Sequence, residues 1–216
     1  MSRSLRAAFA LALSMTAFGC ISPPDYTAFR NHPPRSILVL PPLNESVAVD
    51  ATYSWLTTAT APIAETGYYV FPVAMVDAFM RDNGLPSAGE MHEVDIARLA
   101  AVFGADAVLY VTIKNWGQKY VVVASNTVVH AKAVLVDTAT GTRLWEWDYA
   151  HRESSGGSGN LVADLVIAAI EQVVDTITDQ THGAASRANY MLFKNELTGL
   201  PYGPYHPKHK TDPRLQ

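Results

Sequence analysis

The feature that most constrains the fold is a long stretch of β-type sequence in the middle of the chain. From Ala107 to Ile113, successive residues alternate between two sets, with Val108, Tyr110 and Thr112 on one side. That period of two is typical of a strand. Two further β runs follow, Lys119 to Val136 and Arg143 to His151. The sequence therefore predicts a three-stranded antiparallel meander.

Two short polar segments are the predicted turns of this meander. The first is Asn115-Trp-Gly-Gln118, and the second is Asp137 to Thr142, in which Gly141 occupies a position that favours positive φ. A tryptophan in a hairpin turn is difficult to bury, and exposed tryptophan is favoured at binding surfaces. Trp116 is therefore a candidate partner contact. The alternative is that its ring folds back on the sheet edge.

Shorter strands and helices precede the meander. Ser36–Leu40 and Tyr68–Phe71 are predicted strands. Helices are predicted over Thr52–Glu65, which Pro62 should interrupt, over Pro72–Asn83, and over Asp95–Phe103.

A glycine- and serine-rich loop, residues 154–159, follows the meander. The longest predicted helix, Leu161–Gln180, comes next, and a short helix is predicted over Ala184–Leu192. This order predicts a single α/β domain over residues 36–198, with helices packed on a mixed sheet.

The N-terminus has the parts of an export signal over residues 1–19. Arg3 and Arg6 supply positive charge, and the apolar run of about 12 residues that follows is too short to span a bilayer. Ala17-Phe-Gly-Cys20 resembles the bacterial lipobox, and Cys20 is the only cysteine. We therefore predict lipidation at Cys20. A plain secretory signal or a buried N-terminal helix is the alternative.

The segments on either side of the predicted domain lack a periodic apolar pattern. Residues 20–35 hold four prolines and are predicted to be an extended tether, and residues 199–216 to be an extended or disordered tail. Ile21 stands where lipoproteins retained in the inner membrane typically carry Asp. The outer membrane, with the domain facing the periplasm, is therefore the expected location.

Composition excludes nucleic acid as a partner. The sequence pI is near 5.9, and no run of lysine and arginine supplies the clustered charge that phosphate contacts need. A single cysteine also excludes an intrachain disulfide.

The motif search yields no catalytic residue, no cofactor and no metal site. Residues 156–160 lack the Lys-Ser/Thr of a P-loop, and no Gly-x-Ser-x-Gly elbow is present. His206 and His209 are three residues apart, but a proline-rich tail is a poor scaffold for metal ligands. Tyr202 and Tyr205 are further candidate partner contacts.

Several ordered motifs carry a resemblance that extends from about Arg35 to Tyr205. They are Leu38-Val-Leu-Pro-Pro-Leu-Asn-Glu-Ser46, Ala64-Glu-Thr-Gly-Tyr-Tyr-Val-Phe-Pro72, Asn83-Gly-Leu85, Phe103-Gly-Ala-Asp-Ala-Val-Leu-Tyr110, Ala131-Lys-Ala-Val-Leu-Val-Asp137, Thr140-Gly141 with Leu144-Trp145, and Asn189-Tyr-Met-Leu192. On these residues the chain resembles a family of Gram-negative outer-membrane lipoproteins of undefined function.

The resemblance implies a fold related to the N-terminal domain of TolB, to CsgG and to LpoB. It also implies a partner, because lipoproteins of this family tend to be encoded beside a CsgG-like lipoprotein. The family has no catalytic residues to carry over.

Three functions follow as hypotheses. The first is a non-catalytic subunit or adaptor of an envelope assembly, anchored in the membrane through lipid. It would act with other envelope lipoproteins, such as a CsgG-like one. A homo-oligomer is a variant of this hypothesis. The second is an LpoB-like regulator of peptidoglycan synthesis, for which a tether of about 14 residues and about 40 Å is short. The third is a small-ligand-binding protein or enzyme.

Overall fold

The computed structural model describes residues 23–121, 124–154 and 177–216. Residues 1–19, Cys20, the glycine-rich loop from residue 155 onward and residues 161–176 of the predicted longest helix lie outside this range. The described helices are α1 (Thr27–Asn31), α2 (Ala51–Glu65), α3 (Val73–Asp82), α4 (Ala88–His92), α5 (Ile96–Phe103) and α6 (Ile177–Lys194). The strands are β1 (Ser36–Val39), β2 (Leu43–Asn44), β3 (Tyr69–Val70), β4 (Ala107–Val121), β5 (Ala124–Asp137) and β6 (Arg143–Ser154).

The strands form one mixed sheet in the order β3-β1-β4-β5-β6, and β2 continues the line of β1 beside β4. β1 pairs in parallel with both β3 and β4, whereas β4, β5 and β6 are antiparallel. The predicted single α/β domain with a mixed sheet is confirmed. Gly141, at φ 70°, lies in the turn between β5 and β6, as predicted.

Helices cover the two faces of the sheet unequally. On one face α1, α2 and α6 bury the main core, in which Trp55 and Trp145 both contact the ring of Phe193. On the other face α3, α4 and α5 pack over β1 and the start of β4, around Leu38 and Val108.

Local signals place several of the helix ends. Asp95 caps α5 by accepting hydrogen bonds from the amides of Ala97 and Arg98, and Gly104 ends the helix in the left-handed conformation. Ser87 and Glu90 form a capping box at the start of α4. Pro62 does not interrupt α2, contrary to the prediction. The proline falls in the last turn, so only three helical residues follow it, and its side chain is buried.

The predicted turn at Asn115-Trp-Gly-Gln118 is wrong, because β4 continues through it to Val121. Trp116 pairs with Val129 and Gly117 with Val128, after a register shift between Ile113 and Asn115. Gly117, two residues beyond the shift, has φ 105°, and the strand continues through it in register with β5.

Residues 23–35 are not an extended tether. Within them α1 places Tyr26 and Phe29 in the main core, at 5% and 1% exposure. The ring of Phe29 meets Tyr68 edge-on, with 6.5 Å between the centroids. A short helix with two anchoring aromatics has no long periodic pattern, and for that reason the composition of the segment does not reveal it.

We expect Phe29→Ala to destabilise the domain by about 3–5 kcal/mol, because it removes a fully buried ring. Urea unfolding of the purified chain measures this. Met75→Ala is the control, since Met75 is 71% exposed, and should change stability by less than about 0.5 kcal/mol. Equal effects of the two substitutions would show that α1 is a dispensable tether.

Candidate interaction surfaces

The C-terminal strap, residues 199–216, is ordered against the domain, which corrects the prediction of an extended or disordered tail. Three buried aromatic side chains donate hydrogen bonds to backbone carbonyls at its start and at the residue just before it. Trp145 Nε1 lies 2.8 Å from the oxygen of Thr198, Tyr26 Oη 2.7 Å from that of Gly199, and Tyr68 Oη 2.6 Å from that of Pro201. Burial raises the pKa of Tyr26 to about 12 and raises that of Tyr68 too, so both phenols stay protonated donors.

The strap then crosses the turn between α2 and β3 at very short range. The Gly203 amide donates to the Thr66 carbonyl at 2.9 Å, and the Tyr205 amide donates to the Gly67 carbonyl at 3.2 Å. A Cβ on Gly203 would lie 2.3 Å from the Gly67 oxygen, and one on Gly67 would lie 2.5 Å from His206. Glycine is therefore required on both sides of this crossing.

A buried ion pair closes the strap on itself. The guanidinium of Arg214 donates to both carboxylate oxygens of Asp212, at 2.9 and 2.8 Å, and also to the Asn195 carbonyl at 3.0 Å. Asp212 additionally accepts from the Tyr202 amide at 2.6 Å. Burial alone would raise the pKa of Asp212, but the hydrogen bonds from Arg214 and Tyr202 outweigh it and hold that pKa below its usual value.

The strap and α1 meet at one end of the sheet. Arg30, on α1, donates to the Arg214 carbonyl at 3.2 Å. The hydroxyl of Tyr26 reaches the Leu197 carbonyl at 3.3 Å as well as that of Gly199. The two ends of the described chain are thus joined.

The three predicted contact residues have different surroundings. Trp116 is 5% exposed in the main core, so it is not available as a surface contact, and the prediction that it lies in an exposed turn is wrong. Tyr202 is half-buried and stacks on His206 at 3.9 Å, with the Arg214 guanidinium 5.2 Å from its ring. Tyr205 is 68% exposed and remains a candidate contact.

The two histidines of the strap have separate roles in its packing. His206 stacks on Tyr202, and His209 Nδ1 lies 2.6 Å from the Tyr202 carbonyl oxygen. Among the described residues, no group of three or more His, Cys, Asp or Glu side chains is arranged to hold a metal ion. No helix in that part of the chain has the length and apolar character needed to cross a membrane.

An apolar groove between α3 and α5 was not predicted from the sequence. Its cavity is about 410 Å³ and is lined mainly by Phe79, Met80, Leu99, Val102 and Phe103. Phe79 is 45% exposed and Val102 51%, and the rings of Phe79 and Phe103 meet edge-on at 5.5 Å. The sequence did contain a signal for an exposed apolar surface on α5, because Val102 lies outside the apolar face formed by Ile96, Leu99 and Phe103.

On the same sheet face as the groove, the surface of β5 and β6 carries paired charges. Asp148 contacts Lys114 at 3.1 Å, and Glu146 contacts both Lys132 and Arg143. The hydrogen bond from Lys132 lowers the pKa of Glu146. Such partly exposed pairs contribute little stability, and this surface is a solvated sheet face.

A mixed sheet with helices packed on both faces defines an α/β domain. The family model described as "Putative lipoprotein GNA1162-like" matches residues 24–205. The chain therefore belongs to the GNA1162-like lipoprotein family, and the resemblance drawn from its motifs is confirmed. The match begins just before α1 and includes the first part of the strap.

A protein sequence and a crystal structure from Neisseria meningitidis agree with this assignment. The chain is 43% identical over 169 residues to "Putative lipoprotein NMB1124/NMB1162" of Neisseria meningitidis serogroup B, covering 78% of this chain and 79% of the relative. The crystal structure of lipoprotein GNA1162 from Neisseria meningitidis matches at 43% identity with a TM-score of 0.55, over 65% of this chain and 98% of that one. The LpoB C-terminal domain from Salmonella enterica matches at 17% identity with a TM-score of 0.40, over 65% of this chain and 90% of that one.

We expect Gly67→Ala to release the strap, because the new Cβ meets His206 and the residue has φ 96°. Gly84→Ala is the matched control, since Gly84 has φ 85° but nothing within 4 Å of a Cβ. The control should cost only the left-handed strain of about 1–2 kcal/mol. Limited trypsin digestion distinguishes the two variants. The rate of cleavage after Lys208 and Lys210, measured by mass spectrometry, should be higher in Gly67→Ala. Similar cleavage rates in the two variants would contradict the requirement for close contact at Gly67.

Proposed function

We propose that the protein is a non-catalytic, lipid-anchored subunit of a cell-envelope assembly. In this proposal an acyl group on Cys20 holds the domain at the outer membrane, facing the periplasm. The groove between α3 and α5 binds an apolar segment of a second envelope protein. A CsgG-like lipoprotein is the candidate partner, because the family resemblance implies such a neighbour.

The exposed apolar character of the groove carries this proposal. Phe79 and Val102 line the groove and are 45% and 51% exposed, although they are large and apolar. Clustered exposed apolar side chains mark interaction sites more often than isolated ones do. The polar residues Glu93, Asp95 and Arg98 border the same cavity. An apolar centre with a charged rim is the usual anatomy of a protein–protein interface.

The position of the groove suits a subunit that binds a partner while it is anchored. The groove lies on the sheet face covered by α3 and α5, whereas α1 packs into the core on the opposite face. A partner in the groove would therefore not compete with the segment that leads to the anchor.

The short reach of the anchor disfavours the LpoB-like alternative. Tyr26 is buried, so only the residues between Cys20 and Tyr26 connect the lipid to the packed domain. A fully extended chain of that length spans at most about 20 Å. A regulator that crosses much of the periplasm would need a longer connection.

We expect a photo-crosslinking amino acid at Val102 to capture an envelope protein in living cells, because the side chain borders the groove. The same amino acid at Met191 is the control, since Met191 is 47% exposed but lies on α6. Mass spectrometry of the purified adducts identifies the partner. A crosslink to another copy of the chain would assign the groove to a homo-oligomer, and no adduct above the Met191 control would contradict a protein occupant.

We expect Cys20→Ser to abolish incorporation of labelled palmitate and to remove the protein from the outer-membrane fraction, because no other cysteine is present to carry the acyl group. Ser22→Ala is the control and should leave both unchanged. Palmitate labelling and membrane fractionation of the two variants provide the measurement. Unchanged labelling of Cys20→Ser would contradict the assigned anchor.

A further inference from the structure

Hydrogen bonds between α1 and the C-terminal segment bring exposed residues of both to the same end of the sheet, the end at which the described chain begins. We name it the anchor-side face and define it by Arg30, Leu197, Tyr205, Lys208 and Lys210, all of which are exposed. Contacts between Arg30 and Arg214, and between Tyr26 and the carbonyls of Leu197 and Gly199, hold its parts together.

Chain length places this face near the membrane if Cys20 carries the anchor, a condition that rests on the proposed function. Six peptide units join Cys20 to the buried Tyr26, and a fully extended chain of that length reaches at most about 20 Å. This limit holds for every conformation of the connecting residues. The part of the domain around Tyr26 therefore stays close to the bilayer surface.

Charge on the anchor-side face fits the surface of an anionic bilayer. The strap contains three cationic side chains, Lys208, Lys210 and Arg214, and a single acidic side chain, Asp212, which is 1% exposed and paired with Arg214. Lys208 and Lys210 are left exposed, in a chain of formal net charge −4. The exposed carboxylates of Asp25 and Glu196 lie nearby and reduce this positive charge without reversing it.

Exposed apolar groups on the same face fit the interfacial region of a bilayer. Tyr205 is 68% exposed and Leu197 67%. Tyrosine is enriched at membrane–water interfaces, where its ring enters the headgroup region and its hydroxyl stays hydrated. The crossing at Gly67 fixes the backbone beneath Tyr205, so the ring is presented from a rigid support.

We propose that the anchor-side face lies directly on the membrane and binds anionic phospholipid headgroups through Lys208 and Lys210, with Tyr205 at the interface. The lipid anchor then sets the orientation of the domain as well as its location. The groove between α3 and α5 lies on the sheet face opposite the α1 core and stays in water.

A spin-label experiment on the mature, acylated chain tests this orientation. The Cys20 thiol is consumed by the lipid, so Tyr205→Cys and Met75→Cys each provide one labelling site, at positions that are 68% and 71% exposed. The chain is reconstituted in vesicles of phosphatidylethanolamine with or without phosphatidylglycerol. Accessibility of each label to a water-soluble nickel chelate and to oxygen is measured by electron paramagnetic resonance, and vesicle flotation is measured on the same samples.

In vesicles with phosphatidylglycerol, we expect the label at position 205 to be shielded from the nickel chelate and accessible to oxygen, while the label at position 75 remains accessible to the chelate. Lys208→Gln with Lys210→Gln should restore chelate access at position 205, since each lysine near an anionic surface contributes about a fivefold preference for it.

The possible failures are distinguishable. A chain that does not float with the vesicles overturns the anchor and the orientation together. A floating chain with equal chelate access at both positions overturns the orientation alone. Shielding at position 205 of the unacylated Cys20→Ser chain in buffer, without lipid or detergent, assigns the face to a second copy of the chain. Shielding that is unchanged when phosphatidylglycerol is omitted and when both lysines are replaced overturns the role of headgroup charge.

Discussion

The structure depends on the hydrogen bonds that three buried aromatic side chains donate to the backbone around residues 198–201. Tyr26 precedes α1, Tyr68 precedes β3 and Trp145 lies in β6, and each donates to a different carbonyl. A buried carbonyl without a partner costs about 1–3 kcal/mol, so the strap fits only where these donors are already in place. The same donors in turn need the strap, because a buried phenol or indole is destabilising when it is unpaired. The two ends of the described chain therefore stabilise each other across the end of the sheet.

Local sequence patterns were sufficient to predict most of the sheet and the capped helix α5. The alternation from Ala107 to Ile113, the Asp95 cap with Gly104, and Gly141 are signals contained within a few residues, and the structure has β4, α5 and the β5–β6 turn at those places. The segments that hold α1 and the strap could not be predicted in this way. Their order comes from contacts between residues far apart in sequence, such as Tyr26 with Gly199 and Tyr68 with Pro201. Proline-rich composition indicates that a segment lacks regular structure, but it does not indicate whether that segment packs.

The candidate surfaces also depend on contacts that local sequence patterns do not reveal. The segment Asn115-Trp-Gly-Gln118 predicts a turn, yet a glycine with positive φ also fits within a long strand, as Gly117 does in β4. Once the strand continues, the pleat directs the indole into the core. The groove between α3 and α5 was missed for the opposite reason. Phe79 lies on the apolar face of its own helix, and only the spacing between the two helices leaves it 45% exposed. The exposure of an apolar residue depends on how neighbouring helices pack, and the apolar pattern of a single helix cannot predict it.

Packing of α1 against the core has a further consequence for how the domain can act. A flexible tether would let the domain sample many orientations and a wide volume. If Cys20 carries the lipid, as proposed, the buried Tyr26 and Phe29 leave a connection too short for either. Short connections raise the effective concentration of an anchored domain near whatever else is held at the same surface, without any new contact. A partner anchored in the same membrane would therefore be bound with the help of this confinement even where the groove itself is small. An unanchored partner would gain nothing from it. In physical terms, a short connection together with a small apolar groove favours neighbours in the membrane over soluble ligands.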